Sequence, residues 1–266
     1  MRIPSGLIVA LLWLTAGNAR ALSVDELVAK NIEARGGLER IKALQSLRTT
    51  GKMQIVRDAF SMEMTWTEQI KRGGMYRVET SLQGLTAVSA HDGKEAWQIQ
   101  PFQGRKEPSR ISSDDAKQLA RTADFEGPLV DWARKGHRVE YLGTEDVDGT
   151  EAHKLKVTLK DGDIQYIYLD PDHFLEIRVV TQSKVRGVER ELETDLGNYE
   201  QVAGVYVPFS IETGPKGGRK FQKVTLQSVE PNVALDDAQF HFPAPAPAPK
   251  PPPAPQAPRV TQAADR

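Results

Sequence analysis

Asp92-Gly93-Lys94-Glu95-Ala96-Trp97-Gln98-Ile99-Gln100-Pro101-Phe102 joins an Asp-Gly pair to a short run that carries a tryptophan and stops at a proline. A tight two-residue turn needs positive φ at both central positions. Asp and Gly accept this readily, so the stretch predicts a hairpin feeding one strand of an antiparallel meander. The same punctuation recurs at Asp148-Gly149 and Asp161-Gly162, with longer loops at Gly73-Gly74 and from Gly214 to Gly218. Between turns the residues alternate. Met62, Met64 and Trp66 interleave with Ser61, Glu63, Thr65 and Thr67, and the same period runs through Leu155, Val157 and Leu159, through Leu175, Ile177 and Val179, and through Val205, Val207, Phe209 and Ile211. A period of two marks half-buried strands. About ten of them at short spacing predict a mainly β (α+β) fold, a curved antiparallel sheet forming an incomplete barrel.

Two regions follow the helical period instead. Ser23 with Glu26 forms a capping-box pattern, and Val24, Leu27, Val28 and Ile32 then fall on one helical face until Gly36-Gly37 ends it. Leu38, Ile41 and Leu44 predict a further short turn of helix. From Ser113 to Gly136, Ala116, Leu119, Ala120 and Ala123 predict a helix, Gly127-Pro128 a kink, and Leu129, Val130 and Trp132 a second short helix. Helices inserted into a meander can cover its open concave face, so this pair is expected to act as a lid.

The front of the chain has Arg2, an apolar run from Leu7 to Leu14, and Ala19-Arg20-Ala21 in small-x-small form. This is the pattern of a secretory signal peptide cleaved after Ala21, and the run is well short of the ~20 apolar residues that span a bilayer. The chain contains no cysteine, which excludes disulfides, thiolate metal sites and lipidation at the cleavage point. Removing Arg2 and Arg20 with the leader leaves 33 basic against 36 acidic residues, a net charge of −3 with the signs interspersed. That balance is unlike a nucleic-acid footprint. After Phe242 the composition collapses into Pro-Ala repeats with nine of the 17 prolines within residues 243–258, an extended spacer to which no binding role is assigned. The expected organisation is thus a leader (1–21), a folded domain (22–242) and a proline/alanine-rich disordered tail (243–266).

Catalytic motifs are missing from the sequence. His91, His137, His153, His173 and His241 stand singly, and there is no His-Glu-x-x-His, no Gly-x-Ser-x-Gly and no phosphate loop. The acidic clusters at Glu145-Asp146-Val147-Asp148, Asp161-Gly162-Asp163 and Asp170-Pro171-Asp172 sit where hairpins must turn, and the full calcium-loop pattern is absent. No cofactor, metal or catalytic residue is therefore expected.

Three segments resemble, in the right order, motifs of the LolA-like periplasmic lipoprotein-carrier family. These are Lys71-Arg72-Gly73-Gly74-Met75-Tyr76, the Asp92 to Phe102 stretch with its Asp-Gly-Lys-x-x-Trp and Pro-Phe, and the carboxy-terminal Asp236, Phe240, Phe242 and Pro243. With the first helix and leader, the resemblance covers nearly all of residues 22–243. Gly73 stands where the family has proline, and the proline-rich tail is extra. The resemblance implies a half-barrel with a helical lid over an apolar cavity for acyl chains, and it gives Arg72 the role of helping to hold the lid closed. Methionines suit a wall that must fit variable guests. On this basis Arg72, Met62, Met64, Trp66, Tyr76, Trp97, Leu129 and Trp132 are the expected lipid-binding and lid residues, with simple core filling as the competing expectation for each.

The implied function is a soluble periplasmic carrier, expected to be monomeric, that binds an acylated lipoprotein or other envelope lipid. Its implied partners are an inner-membrane transporter as donor and an outer-membrane acceptor. The alternative is a sensor or regulatory binding module of the same fold acting through a membrane protein partner. An enzyme with a site assembled from distant strands ranks last.

Overall fold

A computed structural model describes residues 22–58, 60–185 and 187–244. The expected leader, and the tail beyond its first two residues, lie outside the described residues. The chain opens with helices α1 (Val24–Ala34) and α2 (Leu38–Ala43), then strands β1 (Ser46–Arg57), β2 (Phe60–Lys71), β3 (Met75–Leu82), β4 (Leu85–Asp92), β5 (Ala96–Gln100) and β6 (Arg105–Arg110). Helix α3 (Ser113–Thr122) crosses to β7 (Arg138–Val147), β8 (Thr150–Thr158), β9 (Ile164–Leu169), β10 (Glu176–Val185), β11 (Val188–Val202), β12 (Val205–Pro215) and β13 (Gln222–Pro231).

All strands join one antiparallel sheet in the order β6-β5-β4-β3-β2-β1-β13-β12-β11-β10-β9-β8-β7. Two meanders thus meet where β1 pairs with β13, and β6 and β7 are the free edges of an open sheet. Arg105, Lys106, Pro108 and Arg110 on β6 suit an edge, because charge and a missing N–H discourage a further strand. The additional strands come from turns with weak sequence marking. Gln83-Gly84 and Ala203-Gly204 make two-residue turns with positive φ at both positions, as Asp148-Gly149 does. At Asp92 the turn differs from expectation. Asp92 ends β4, and its Oδ1 accepts hydrogen bonds from the N–H groups of Lys94 and Glu95, so the loop has three residues and only Gly93 takes positive φ.

The register places Leu47, Thr49, Gly51, Met53 and Ile55 of β1 opposite Ile70, Glu68, Trp66, Met64 and Met62 of β2, all on the concave face. Toward the other edge, α1 lies in the concavity. Leu27, Val28, Leu129, Val139, Leu155, Val157, Leu159, Ile167 and Leu169 form one closed core there, with Trp132 packed against it. The predicted alternation at Leu175, Ile177 and Val179 does not hold. A bulge between Glu176 and Arg178 sends Ile177 to the outer cluster and Val179 to the inner one.

The capping box is present: Glu26 N–H donates to Ser23 Oγ, and Ser23 N–H donates to Glu26 Oε2 at 2.7 Å. At its other end α1 is held by close backbone approach. Gly36 has φ +117°, and a Cβ there would sit 2.0 Å from the Gly204 carbonyl oxygen. The second helix predicted after Pro128 is replaced by turns, since Asp131 adopts φ 52° and breaks the helical run.

Candidate functional site

Beyond α1, the concave face carries an apolar groove of about 550 Å³. Its walls include Met53, Ile55, Met62, Met64, Val78 and Ala87 together with Thr80, Ser89 and Gln100, and Phe60, Phe102 and Arg57 stand at its rim. The groove exists because β2 keeps its alternation to its first residue while no helix is laid over it. Phe60 is 59% exposed and Met64 only 7%, so burial increases along the strand.

Further along β2 lies a second space of about 230 Å³, lined by Leu47, Trp66, Glu68, Ile70, Phe125, Glu176, Tyr199 and Ile211 among others. Its wall is mainly apolar but holds two carboxyl groups. Glu68 Oε1 accepts a hydrogen bond from the Tyr76 hydroxyl at 2.9 Å. Burial lifts the Glu68 carboxyl from the ordinary range to about 7, opposed by the bond from Tyr76. Burial, then the nearby Glu68 charge, pushes the Tyr76 hydroxyl well above its usual value. Glu176 is also raised by burial, with the Arg35 charge acting against it.

The segment after α3 lines one side of this second space through Phe125 and Gly127. Arg72, at the end of the β2 strand, donates from Nε to the Leu44 carbonyl at 2.6 Å and from Nη2 to those of Ile41 and Lys42 at 3.2 and 3.0 Å. Its Nη1 meets Glu126 Oε1 at 2.7 Å, and the guanidinium lies 5.0 Å from the centre of the Phe125 ring. Arg35 donates to the carbonyls of Glu126 and Phe125 at 2.6 and 3.1 Å, and Lys135 reaches Asp124 and the Gly127 carbonyl. Three cations therefore hold four successive residues. Helix α3 itself is tied to the β8–β9 turn by Arg121, 2.5 Å from Asp163, and packs by Leu119 near Ile70 and Tyr76.

The expected site residues divide among three places. Met62 and Met64 line the groove, Trp66 lines the inner space, and Arg72 and Tyr76 lie against α3 and the residues after it. Leu129 and Trp132 belong to the core under α1, away from both spaces. Trp97 is on the opposite face, because it pairs with Ala90, whose β3 partner Arg77 points outward. There its Nε1 donates to the Phe240 carbonyl at 2.7 Å, its ring meets Phe242 edge-on, and Arg77 covers it. Lys71 reaches Asp237 and the Leu235 carbonyl beside it. Lys71 of the first motif, Trp97 of the second and the carboxy-terminal motif thus meet on the convex side, while Arg72 and Tyr76 of the first face inward. Glu68, Glu176 and Phe125 were not among the expected residues. Glu68 could have been found by counting on from Met62, Met64 and Trp66 in steps of two.

Among the described residues no group of three or more His, Asp or Glu side chains converges as metal ligands would. The acidic clusters serve turns, as at Asp170, whose Oδ1 accepts from the N–H groups of Asp172 and His173.

No protein-family profile and no curated protein sequence matches the chain. Solved structures do. A LolA superfamily protein from Nitrosomonas europaea superposes with a TM-score of 0.58 at 16% identity, covering 83% of this chain and 98% of that one. The fold is LolA-like. A domain assigned to outer membrane lipoprotein sorting from Vibrio parahaemolyticus gives 0.56 at 15% identity, covering 82% and 97%, and a DUF1329 family protein from Desulfovibrio piger gives 0.57 at 16%, covering 82% and 97%. Nearly the whole of each of these three chains is therefore matched, at an identity that speaks to architecture alone.

Proposed function

We propose that the protein is a soluble periplasmic carrier that takes acyl chains of lipoproteins or other envelope lipids into the methionine-lined groove for transfer toward the outer membrane. The observation that carries this reading is the uncovered apolar groove of about 550 Å³ on the concave face, a size within the roughly 300–1,000 Å³ of small-molecule sites. Its wall of Met53, Met62 and Met64 adapts to guests of different shape because methionine has three soft torsions. Burying about ten methylenes supplies about 8 kcal/mol, which corresponds to a Kd near 1 μM and so to binding that reverses. The sorting description of the Vibrio neighbour fits the same cargo.

In this reading α3 and residues 123–127 are a lid over the second space, next along β2 from the groove, and Arg72 with Arg35 and Lys135 is its clasp. Cargo arrives from an inner-membrane transporter and leaves to an outer-membrane acceptor, the leader having directed the chain across the inner membrane. No step calls for catalysis. The test is native mass spectrometry of protein purified from a secreting bacterial host without detergent, before and after organic extraction, together with uptake of a fluorescent acyl probe. A species of lipid mass that extraction removes, with probe uptake competed by fatty acid, is expected. Clean apoprotein that takes up no probe would overturn the carrier.

A further inference from the structure

The groove opens among the tips of neighbouring hairpins, and those tips are unusual in composition. Strand direction and register put the β1–β2, β3–β4 and β5–β6 turns at one end of their meander. Each turn presents one large apolar side chain to solvent: Phe60 at 59%, Leu85 at 41% and Phe102 at 40% exposure. Phe60 and Phe102 also line the groove, so the apolar surface runs from its wall onto its lip. The β12–β13 turn joins the same end, because Arg219 Nη1 donates to the Asp58 carbonyl.

Charge is segregated there. Within residues 57–60, 82–85, 101–107 and 215–221 the acidic residues are Asp58 and Glu107, and, with Lys216 paired to Glu191 and Lys220 to Glu193 and Asp195, the remaining cations are Arg57, Arg105, Lys106 and Arg219. The whole chain carries a net charge of −1, so this positive end is a local arrangement and not a reflection of composition. Single exposed apolar side chains on separate turns, set among cations, are the elements of a surface that enters the headgroup layer of a lipid leaflet. Anionic lipids complement both parts, the cations at the headgroups and the aromatic rings at the acyl boundary.

We propose that this lip is a docking surface for an anionic lipid bilayer, which brings the groove mouth against the membrane. The surface goes beyond the carrier reading, since it concerns where the protein sits and not what it holds.

The test is co-sedimentation of the purified protein with extruded vesicles of equimolar phosphatidylglycerol and phosphatidylcholine, and with vesicles of phosphatidylcholine alone. Binding to the anionic vesicles that weakens as salt rises is expected, with little binding to the neutral ones. The combined variant Arg105→Glu, Lys106→Glu, Arg219→Glu should bind at least about tenfold more weakly. Leu85→Ser, at an exposed position outside the groove wall, should cost about fivefold. Circular-dichroism melts confirm that both variants fold. Failure to bind anionic vesicles, or unchanged binding by both folded variants, overturns the proposal and leaves the lip to an acidic protein partner. Acyl-probe uptake on the same samples separates the two readings: uptake without vesicle binding removes the docking surface alone, and vesicle binding without uptake removes the carrier alone.

Discussion

The two halves of the concave face are built from the same kind of strand and end in opposite conditions. On the β7–β9 side, α1 and Leu129 fill the curve, and Leu27, Leu129, Leu155 and Leu169 have no exposed surface. On the β1–β4 side α3 covers only the end at Ile70 and Tyr76, no α-helix lies over Met53, Ile55, Met62 and Met64, and a groove remains. Alternation along a strand decides only that one face is dry enough to be covered. Whether it is covered by protein or left open depends on where the helices land, and α1 is fixed to its half by its Gly36 contact at Gly204 and by the Asn31 bond to the Phe174 carbonyl.

That contrast can be broken by substitution. Leu155→Ala in the filled half should destabilise the fold by about 3–4 kcal/mol in a denaturant titration, because it leaves a cavity in a closed core. Met62→Ala at the groove should cost under about 1 kcal/mol in the same titration while weakening acyl-probe binding several-fold. Equal losses of stability at the two positions would mean the groove is an ordinary core. Arg72→Leu ranks next, at about 2–3 kcal/mol, since Glu126 and three helix-end carbonyls lose a partner. Stopped-flow release of the probe should be faster in this variant. Release at the wild-type rate would remove Arg72 from the clasp.

Glu68 sharpens the comparison through pH. Its folded pKa of about 7 lies above the ordinary value of 4.5, so the folded state keeps a proton that the unfolded state gives up. The associated stability is complete below pH 4.5 and is lost as pH rises through 7, an effect on the order of 3 kcal/mol. Glu68→Gln should therefore flatten the fall in Tm between pH 5 and 8 and raise Tm at pH 8. A Tm profile parallel to that of the wild type would show that Glu68 ionises freely. The smallest effect is expected at Trp97→Phe, which loses the bond to the Phe240 carbonyl for about 1 kcal/mol and leaves acyl uptake unchanged.

Much of the fold was legible in the residues. The Ser23 and Glu26 box starts α1, the alternation from Met62 to Trp66 gives the face of β2, and Asp148-Gly149 turns as expected. The extra strands were hidden because Gln83 and Ala203 take positive φ beside glycine, where the usual signal is Asp or Asn. Trp97 was assigned to the wrong face for a different reason. Ala96 and Trp97 are both buried, since β5 is covered on both sides, and a strand dry on both faces gives no parity to read. Arg72 was singled out only through resemblance. Its partners Leu44, Phe125 and Glu126 lie 28 to 54 residues away, and no local pattern links them.

The unpaired edges give the sheet a variable circumference. A closed barrel has a girth set by its strand number and stagger, and widening it means tearing a ladder of backbone hydrogen bonds. Here β6 and β7 end the ladder, and α3 with the residues behind it is held to the rest by side-chain contacts, such as Arg121 with Asp163, Arg72 with Glu126 and the packing of Leu119 and Phe125 on Ile70 and Tyr76. The thirteen strands form an open sheet whose girth no closing ladder of backbone hydrogen bonds fixes.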